Sequence, residues 1–206
     1  MGLLGLGVLV VPGGYIWLKN YLSSEGFRSM VNQKVSQTLK AEAAFDEFKW
    51  DGMEVTAPMF IAEGEDLIRR IEAEELKTEV RFVPLLGKRV ETENLQLGRL
   101  HVEIDVTRDG PELEKNRRQM VKFESAMIDT LSGTVNLGEA DLRWSGIRGM
   151  VKPGQGRGSY EGSLTRGQLF TPLSLFPRLD LEKADLRYTE YGCLLYTSDA
   201  ADELCR

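Results

Sequence analysis

Cysteine and histidine are almost missing from this sequence. Its two cysteines, Cys193 and Cys205, lie near the end, and His101 is the only histidine among 206 residues. Residues 1–192 therefore offer no disulfide framework, no thiol nucleophile and no thiolate metal site. One histidine also leaves the usual zinc and copper ligand sets incomplete. We predict a protein without a metal ion or other cofactor.

Basic charge is scarce as well. The sequence has 26 Lys and Arg against 32 Asp and Glu, a formal net charge of −6. A nucleic-acid-binding surface requires an excess of basic residues, so we predict no nucleic-acid partner. Glu72 and Glu74 alternate with apolar residues, as on a solvated strand face, and His101 falls at an outward position. No carboxylate pair with contrasting surroundings is recognisable, so we predict no enzyme.

The tail of the chain, CLLYTSDAADELCR, has neither β alternation nor a helical apolar stripe. Its segment Cys193–Glu203 resembles the translation of a transposase sequencing adapter. We expect residues 193–206 to be an adapter artefact outside the fold, with the natural chain cut near Gly192. A tail with this sequence by chance is the alternative.

Long uncharged runs are absent except at the N-terminus, where no charge precedes Lys19. That run is close to the lower limit of about 17–25 residues needed to span a bilayer. Tyr15, Trp17 and Tyr21 are the aromatic residues expected at a membrane interface. We predict an uncleaved, single-pass membrane anchor at residues 1–22. A buried core helix and a cleaved signal peptide are the alternatives, and the missing basic flank leaves the orientation open.

Residues 23–40 are predicted to form an amphipathic helix that begins at Ser23 or Ser24. Its apolar positions recur at helical spacing and form one stripe. They are Phe27, Met30, Val31, Val35 and Leu39. The stripe is suited either to the membrane surface or to covering the open end of a sheet.

From Ala41 onward the apolar residues alternate, which indicates strands with one buried face. One spacing of apolar positions (n, n+2, n+5, n+7, n+9) recurs in residues 95–104, 135–144 and 179–188, with weaker copies from Ala43 and Ile71. The single step of three predicts a β-bulge in each copy, which bends the strand. The expected bulges lie at Gly98-Arg99, Gly138-Glu139 and Glu182-Lys183.

The predicted fold is mainly β, a bent, bulged and mostly antiparallel groove or open sheet of repeated strand units. We expect a first β unit at residues 41–106 and a truncated second unit at 128–192. Residues 107–127 contain a run of charged residues and are predicted to be a linker between the units.

The order of these features resembles the start of AsmA-like proteins of Gram-negative envelopes. The likeness is carried by GFRSMVNQKVSQTL, by the turn Trp50-Asp51-Gly52 and by the hairpin from Pro84 through Val90 to Leu97. It covers about residues 15–106 and then continues through the repeated strand alone. The resemblance implies an inner-membrane protein with its bulk in the periplasm, acting in phospholipid transport or outer-membrane assembly. Membrane phospholipid would be its partner.

If the protein moves lipid, acyl chains would lie along the inward side chains of the repeated strands. The lipid-lining candidates are Leu100, Val102, Ile104, Leu142, Trp144 and Leu186. The alternative is a membrane-tethered structural or adhesive β-sandwich whose apolar faces close into an ordinary core.

Overall fold

A computed structural model describes residues 20–80, 90–108, 121–156, 159–189 and 192–197. Residues 20–22 are helical, and the helix α1 follows at Glu25–Leu39. Twelve strands come next. They are β1 (Glu42–Phe45), β2 (Lys49–Asp51), β3 (Glu54–Glu63), β4 (Ile68–Glu79), β5 (Val90–Asp105), β6 (Val121–Asn136), β7 (Asp141–Pro153), β8 (Tyr160–Thr165), β9 (Gln168–Phe170), β10 (Arg178–Asp180), β11 (Lys183–Thr189) and β12 (Gly192–Thr197).

All the described strands belong to one sheet with the main order β1-β3-β4-β5-β6-β7-β8-β11-β12. β2 pairs with β3. β7 pairs with β8 along one part of its length and, along another part, with β9, which in turn pairs with β10. Every pairing is antiparallel except that of β5 with β6, which is parallel over most of both strands. The prediction of a mainly β, mostly antiparallel sheet is therefore confirmed.

Helix α1 begins where the sequence predicts. Ser24 is the N-cap, and its hydroxyl accepts a hydrogen bond from the Phe27 N–H at 3.2 Å. The first part of the apolar stripe packs with Leu22, Trp50 and Val55 in one core cluster, where Phe27 is 4% exposed. The second part, from Val35 to Leu39, packs on the cluster around β1, β3 and β4. The stripe thus covers one end of the sheet.

Two polar residues of α1 also occupy the free edge of β1. The Asn32 Oδ1 accepts a hydrogen bond from the Phe45 N–H at 3.0 Å, and the Ser36 hydroxyl accepts one from the Ala43 N–H at 2.9 Å. Asn32 and Ser36 are four positions apart and face the same side of the helix. An edge strand otherwise presents unpaired backbone groups that can pair with another chain. The helix therefore closes this edge.

Strand pairing in the sheet is interrupted along a line that we call the crease. Pairing of β3 with β4 skips between Ala57 and Met59, and pairing of β4 with β5 skips between Gln96 and Arg99. The same interruption continues through β7, then between β8 and β9, and then between β10 and β11. The crease crosses successive strands at Pro58, Glu75, Gly98, Asp129-Thr130, Gly146, Arg166-Gly167 and Leu181-Glu182.

Backbone conformation marks the crease. Glu75, Gly146, Arg166 and Gly167 have φ values of 56°, 67°, 61° and 107°, in a region that L-residues rarely adopt. The bulge expected at Gly98-Arg99 is wrong: pairing of β4 with β5 is interrupted there, but both strands carry the extra residue and the register is the same on both sides. The bulge expected at Glu182-Lys183 is also wrong, because the chain passes there from β10 to β11 at the crease without a change of register.

The expected bulge at Gly138-Glu139 is wrong. Residues 137–140 form the turn between β6 and β7, closed by the Leu137 N–H donating to the Ala140 carbonyl at 2.9 Å. Asn136 Oδ1 accepts from the Gly138 N–H at 2.8 Å, and Gly138 has a φ of 94°. The Asn side chain and the glycine thus supply the turn chemistry that the dipeptide Gly-Glu lacks.

Two expected boundaries also differ. β6 begins at Val121, inside the predicted linker 107–127, and it pairs with β5, so residues 41–106 and 128–192 contribute to one sheet and not to two. Residues 193–197, expected to lie outside the fold, pair with β11 as part of β12. An exposed edge binds an extended segment through its backbone, which requires no side-chain pattern.

No described helix is long and apolar enough to cross a membrane. Most of the predicted anchor, including Tyr15 and Trp17, lies outside the described residues. Tyr21 is described: it is 44% exposed, and its ring lies edge-on to Phe27 at 5.8 Å between centroids. Tyr21 therefore packs at the base of α1.

Candidate functional site

Backbone register places the apolar side chains of neighbouring strands on one face of the sheet. One continuous row of paired residues crosses seven strands. It consists of Ala62, Ile71, Val102, Gly133, Trp144, Leu169 and Leu179. On the other side of the crease a second row runs through Leu97, Ile128, Gly149, Leu164 and Ala184. The crease does not turn the apolar residues to the other face, because each strand shifts phase where its neighbours do.

The opposite face is charged and solvated. Arg70 lies 3.5 Å from Glu63 and 3.3 Å from Glu72, and Arg99 is paired with Glu74. His101 Nδ1 lies 3.0 Å from the Ser132 hydroxyl on this face. These side chains form partly exposed pairs between strands and, for Arg70 with Glu72, along β4, and each contributes little stability. The outward position predicted for His101 and the solvated face predicted for the carboxylates are confirmed.

Burial varies along the apolar face. Seven residues near the crease are at most 8% exposed, and they are Ala57, Phe60, Ala73, Leu97, Ile128, Ile147 and Ala184. Leu100 and Trp144, which also flank the crease, are half-buried, as are Ile104 and Leu142, and Leu179 and Tyr188 reach 43–44% exposure. Ala62, in the cluster on which helix α1 packs, is 0% exposed. We call this apolar face the trough, with the crease as its floor.

One ring contact reaches across β7. Phe123 on β6 and Tyr160 on β8 stack with centroids 5.8 Å apart, although β7 lies between these strands in the sheet.

All six lipid-lining candidates lie in the trough. Leu100 and Trp144 flank the crease, Val102 and Ile104 follow on β5, Leu142 pairs with Val135, and Leu186 pairs with Gly162. Each of the six is half-buried. They form the walls of the trough and not its floor.

The floor residues were missed, although the sequence carries a signal for them. The apolar spacing of β5 is also present in β6 at Ala126, Ile128, Leu131, Gly133 and Val135. It is present again in β7 at Leu142, Trp144, Ile147, Gly149 and Val151. Neither copy is recognised in the sequence, because some of its positions are glycine, which has no apolar side chain to count.

Gly133, one of these glycines, leaves room for a large side chain from the neighbouring strand. A Cβ atom built on Gly133 would lie 2.3 Å from Trp144 Cζ2 and 2.3 Å from the Val102 carbonyl oxygen. The Trp144 indole therefore lies directly over the Gly133 backbone. A side chain at position 133 would therefore displace the half-buried indole.

A polar cluster lies near the end of β5. Asp105 is 5% exposed, and it accepts hydrogen bonds from the Thr107 hydroxyl at 2.6 Å and the Thr107 N–H at 3.1 Å. The Arg108 Nε lies 3.2 Å from its other oxygen. The Thr107 hydroxyl holds the pKa of Asp105 below its usual value, against the opposing effect of burial. This cluster fixes the exit of β5.

Within the ranges described, no group of three or more His, Cys, Asp or Glu side chains is placed to hold a metal ion. A scan against protein-family models finds no match for this chain, and a search of curated proteins finds none. The trough, an apolar surface on a sheet whose other face is charged, is the candidate site.

Proposed function

We propose that this protein is a membrane-anchored lipid-handling protein of the cell envelope, similar to AsmA-like proteins, that holds phospholipid acyl chains in its trough. The observation that carries the proposal is the crease, which keeps the apolar face continuous across β3 to β11. Under this proposal residues 1–22 anchor the chain in the inner membrane and the sheet lies in the periplasm. The role in transport or outer-membrane assembly follows from the same resemblance.

The dimensions of the trough suit an acyl chain. Helix α1 packs on β3 and β4, and the five strands from β5 to β11, spaced about 4.8 Å apart, give a floor about 19 Å long. A bilayer core of about 30 Å contains two acyl-chain lengths, so one chain fits lengthwise along the crease. Each methylene removed from water contributes about 0.8 kcal/mol, so binding requires no specific polar contact. Head groups would remain in water at the rim.

The alternative is a structural or adhesive β-sandwich with a closed core. A sandwich requires a second sheet packed over the apolar face at about 10 Å. The described strands all belong to one sheet, and Val102, Ile104 and Leu186 on its apolar face are only half-buried. This exposure favours an open trough over a filled core.

The test uses Trp144 as a reporter in the trough. Replacing Trp17 and Trp50 with Phe leaves Trp144 as the single tryptophan of the full chain. We expect phospholipid with brominated acyl chains to quench Trp144 emission, and phospholipid brominated near the head group to quench it less. Mass spectrometry of the purified protein should find bound phospholipid. Well-folded protein that carries no lipid and shows no quenching would exclude the lipid-binding function.

Two matched substitutions on β5 separate lipid binding from folding. Val102→Lys places an ammonium group in the trough, whereas His101→Lys places the same group on the charged face beside Glu72. If the new charge removes contact with three or four methylenes, lipid affinity falls roughly 50- to 200-fold in Val102→Lys. The His101→Lys variant should bind lipid normally. Equal lipid binding by two folded variants would place the lipid elsewhere.

A further inference from the structure

The loop 171–177 between β9 and β10 presents the most exposed apolar side chains of the described chain. Leu175 is 85% exposed, Leu173 is 61% and Phe176 is 58%. The loop sequence, TPLSLFP, contains no ionisable side chain. Scattered apolar residues are common on protein surfaces, but three large ones on one loop indicate a binding surface.

The loop is preorganised by four internal hydrogen bonds. The Thr171 N–H donates to the Pro177 carbonyl, and the Thr171 hydroxyl donates to the Phe176 carbonyl. The Leu173 N–H donates to the Thr171 hydroxyl, and the Phe176 N–H donates to the Leu173 carbonyl. Two of the loop residues are prolines, which have no N–H and restrict the backbone. A loop of this kind loses little entropy and few water hydrogen bonds on entering an apolar phase.

Charged residues lie at the base of the loop and not at its tip. Arg178 is paired with Asp180 at 3.4 Å, and Arg143 on the neighbouring strand β7 is paired with Asp141 at 3.2 Å. The polarity therefore changes along the loop from charged at the sheet to apolar at the tip. A membrane presents the same order to an approaching protein, with polar head groups first and hydrocarbon beneath them.

We propose that loop 171–177 inserts Leu173, Leu175 and Phe176 into the hydrocarbon of a phospholipid leaflet. A stable protein partner would need about 20–30 contacting residues on each side, and the charged base of this loop does not extend its apolar surface. A leaflet needs no shape complementarity. Pairing registers place the loop at the opposite end of the strands from Leu22. The proposal does not rest on lipid binding in the trough.

The experiment labels the loop tip in the full chain. Cys193 and Cys205 are replaced with Ser, Leu175 is replaced with Cys, and the new thiol carries an environment-sensitive nitrobenzoxadiazole dye. The protein is held in nanodiscs, which shield its N-terminal apolar segment, and is titrated with phosphatidylcholine vesicles. We expect the dye emission to rise severalfold with a blue shift, and vesicles with spin-labelled acyl chains to quench it. The same dye at Glu139→Cys, in the nearby turn, should not respond.

Loss-of-function variants test the side chains themselves. Each buried Leu or Phe contributes at least about tenfold to partition, so Leu173→Ser with Phe176→Ser should weaken vesicle binding about 100-fold or more. Circular dichroism and Trp144 emission should be unchanged, since the loop lies outside the trough. A dye that stays in water with vesicles overturns the proposal. A blue shift that appears without vesicles as protein concentration rises also overturns it, because a second copy of the chain would then be the partner.

Discussion

The close contact between Gly133 and Trp144 gives the sharpest prediction about the trough wall. In Gly133→Ala the new methyl group would lie 2.3 Å from the indole and 2.3 Å from the Val102 carbonyl oxygen. The indole can turn away, but the carbonyl belongs to the paired strand β5. The substitution should therefore push Trp144 out of its position and strain the pairing of β5 with β6.

Gly149→Ala is the matched control. Gly149 is buried on the same face, and its added Cβ would meet Leu164 at 3.5 Å and Ile128 at 3.6 Å, which are ordinary contacts. Neither Gly133 nor Gly149 is among the glycines with positive φ. The loss of unfolded-state entropy on replacing Gly with Ala is common to both variants and cancels in their comparison. The difference in unfolding free energy then reports the overpacking, about 1–3 kcal/mol.

The measurement is urea-induced unfolding followed by circular dichroism, with Trp144 emission recorded for the folded state. Gly133→Ala should unfold at lower urea concentration than Gly149→Ala and should show a red-shifted Trp144. Adding Trp144→Leu should reduce the cost of Gly133→Ala without abolishing it, because the clash with the Val102 carbonyl persists. If both alanine variants have the same stability, the indole does not lie over Gly133, and our account of the wall is wrong.

Three other perturbations test the surroundings of the trough. Asn32→Ala with Ser36→Ala leaves two β1 N–H groups without acceptors, which should lower the unfolding free energy by about 2–6 kcal/mol and promote aggregation. Replacing the exposed Gln33 with Ala should have neither effect. Unfolding and light-scattering measurements would compare the two variants. Trp50→Phe removes the indole donor to the buried Leu22 carbonyl, 3.1 Å away, and should lower the unfolding free energy by about 1–3 kcal/mol, while Tyr21→Phe should change it less. Because the pKa of Asp105 is depressed in the fold, its carboxylate stabilises the fold above the unfolded-state pKa, near 4, and this stability is lost as pH falls through the folded-state pKa. Thr107→Val should thus lower the unfolding free energy at pH 7 and have no such effect in acid. An NMR titration of this variant should show the Asp105 pKa moving up toward its usual value.

Much of the architecture could be predicted from the alternation of apolar residues. The step of three in residues 95–104 marks a place where the pairing of β4 with β5 is interrupted, but the register is the same on both sides, so the predicted bulge is not there. The copy at 179–188 also spans the crease, where the chain is divided into β10 and β11. The apolar phase changes at both places as the spacing indicates, because paired strands take up the extra residue together.

The copy at 135–144 shows why the same spacing is ambiguous. A tight turn of four residues also separates apolar positions by an odd number, so a spacing pattern cannot distinguish a bulge from a turn. The Asn136 side chain and the positive φ of Gly138 decide between them, and both effects are local hydrogen-bond chemistry. Spacing alone therefore predicted the wrong backbone at this position.

The start of β6 could not be predicted from alternation either. Its pairing with β5 is parallel, so the connection between them must cross over, and such a connection needs a dozen or more residues. The charged segment after Asp105 supplies this connection, and it ends at Val121 and not at residue 127. A charged run indicates solvent exposure, but it does not indicate which strand follows or in which direction.

The crease explains why one spacing recurs in neighbouring strands and not at random. Once Gly98 interrupts β5, any strand paired with it must shift phase at the same level or turn its apolar residues into the solvent. β4 does so at Glu75, in a backbone conformation that costs free energy, and β7 does so at Gly146. A shared phase shift therefore propagates across the sheet. The repeat is thus the sequence requirement for one continuous apolar face, and further strands added to this sheet should carry the same step of three at the crease.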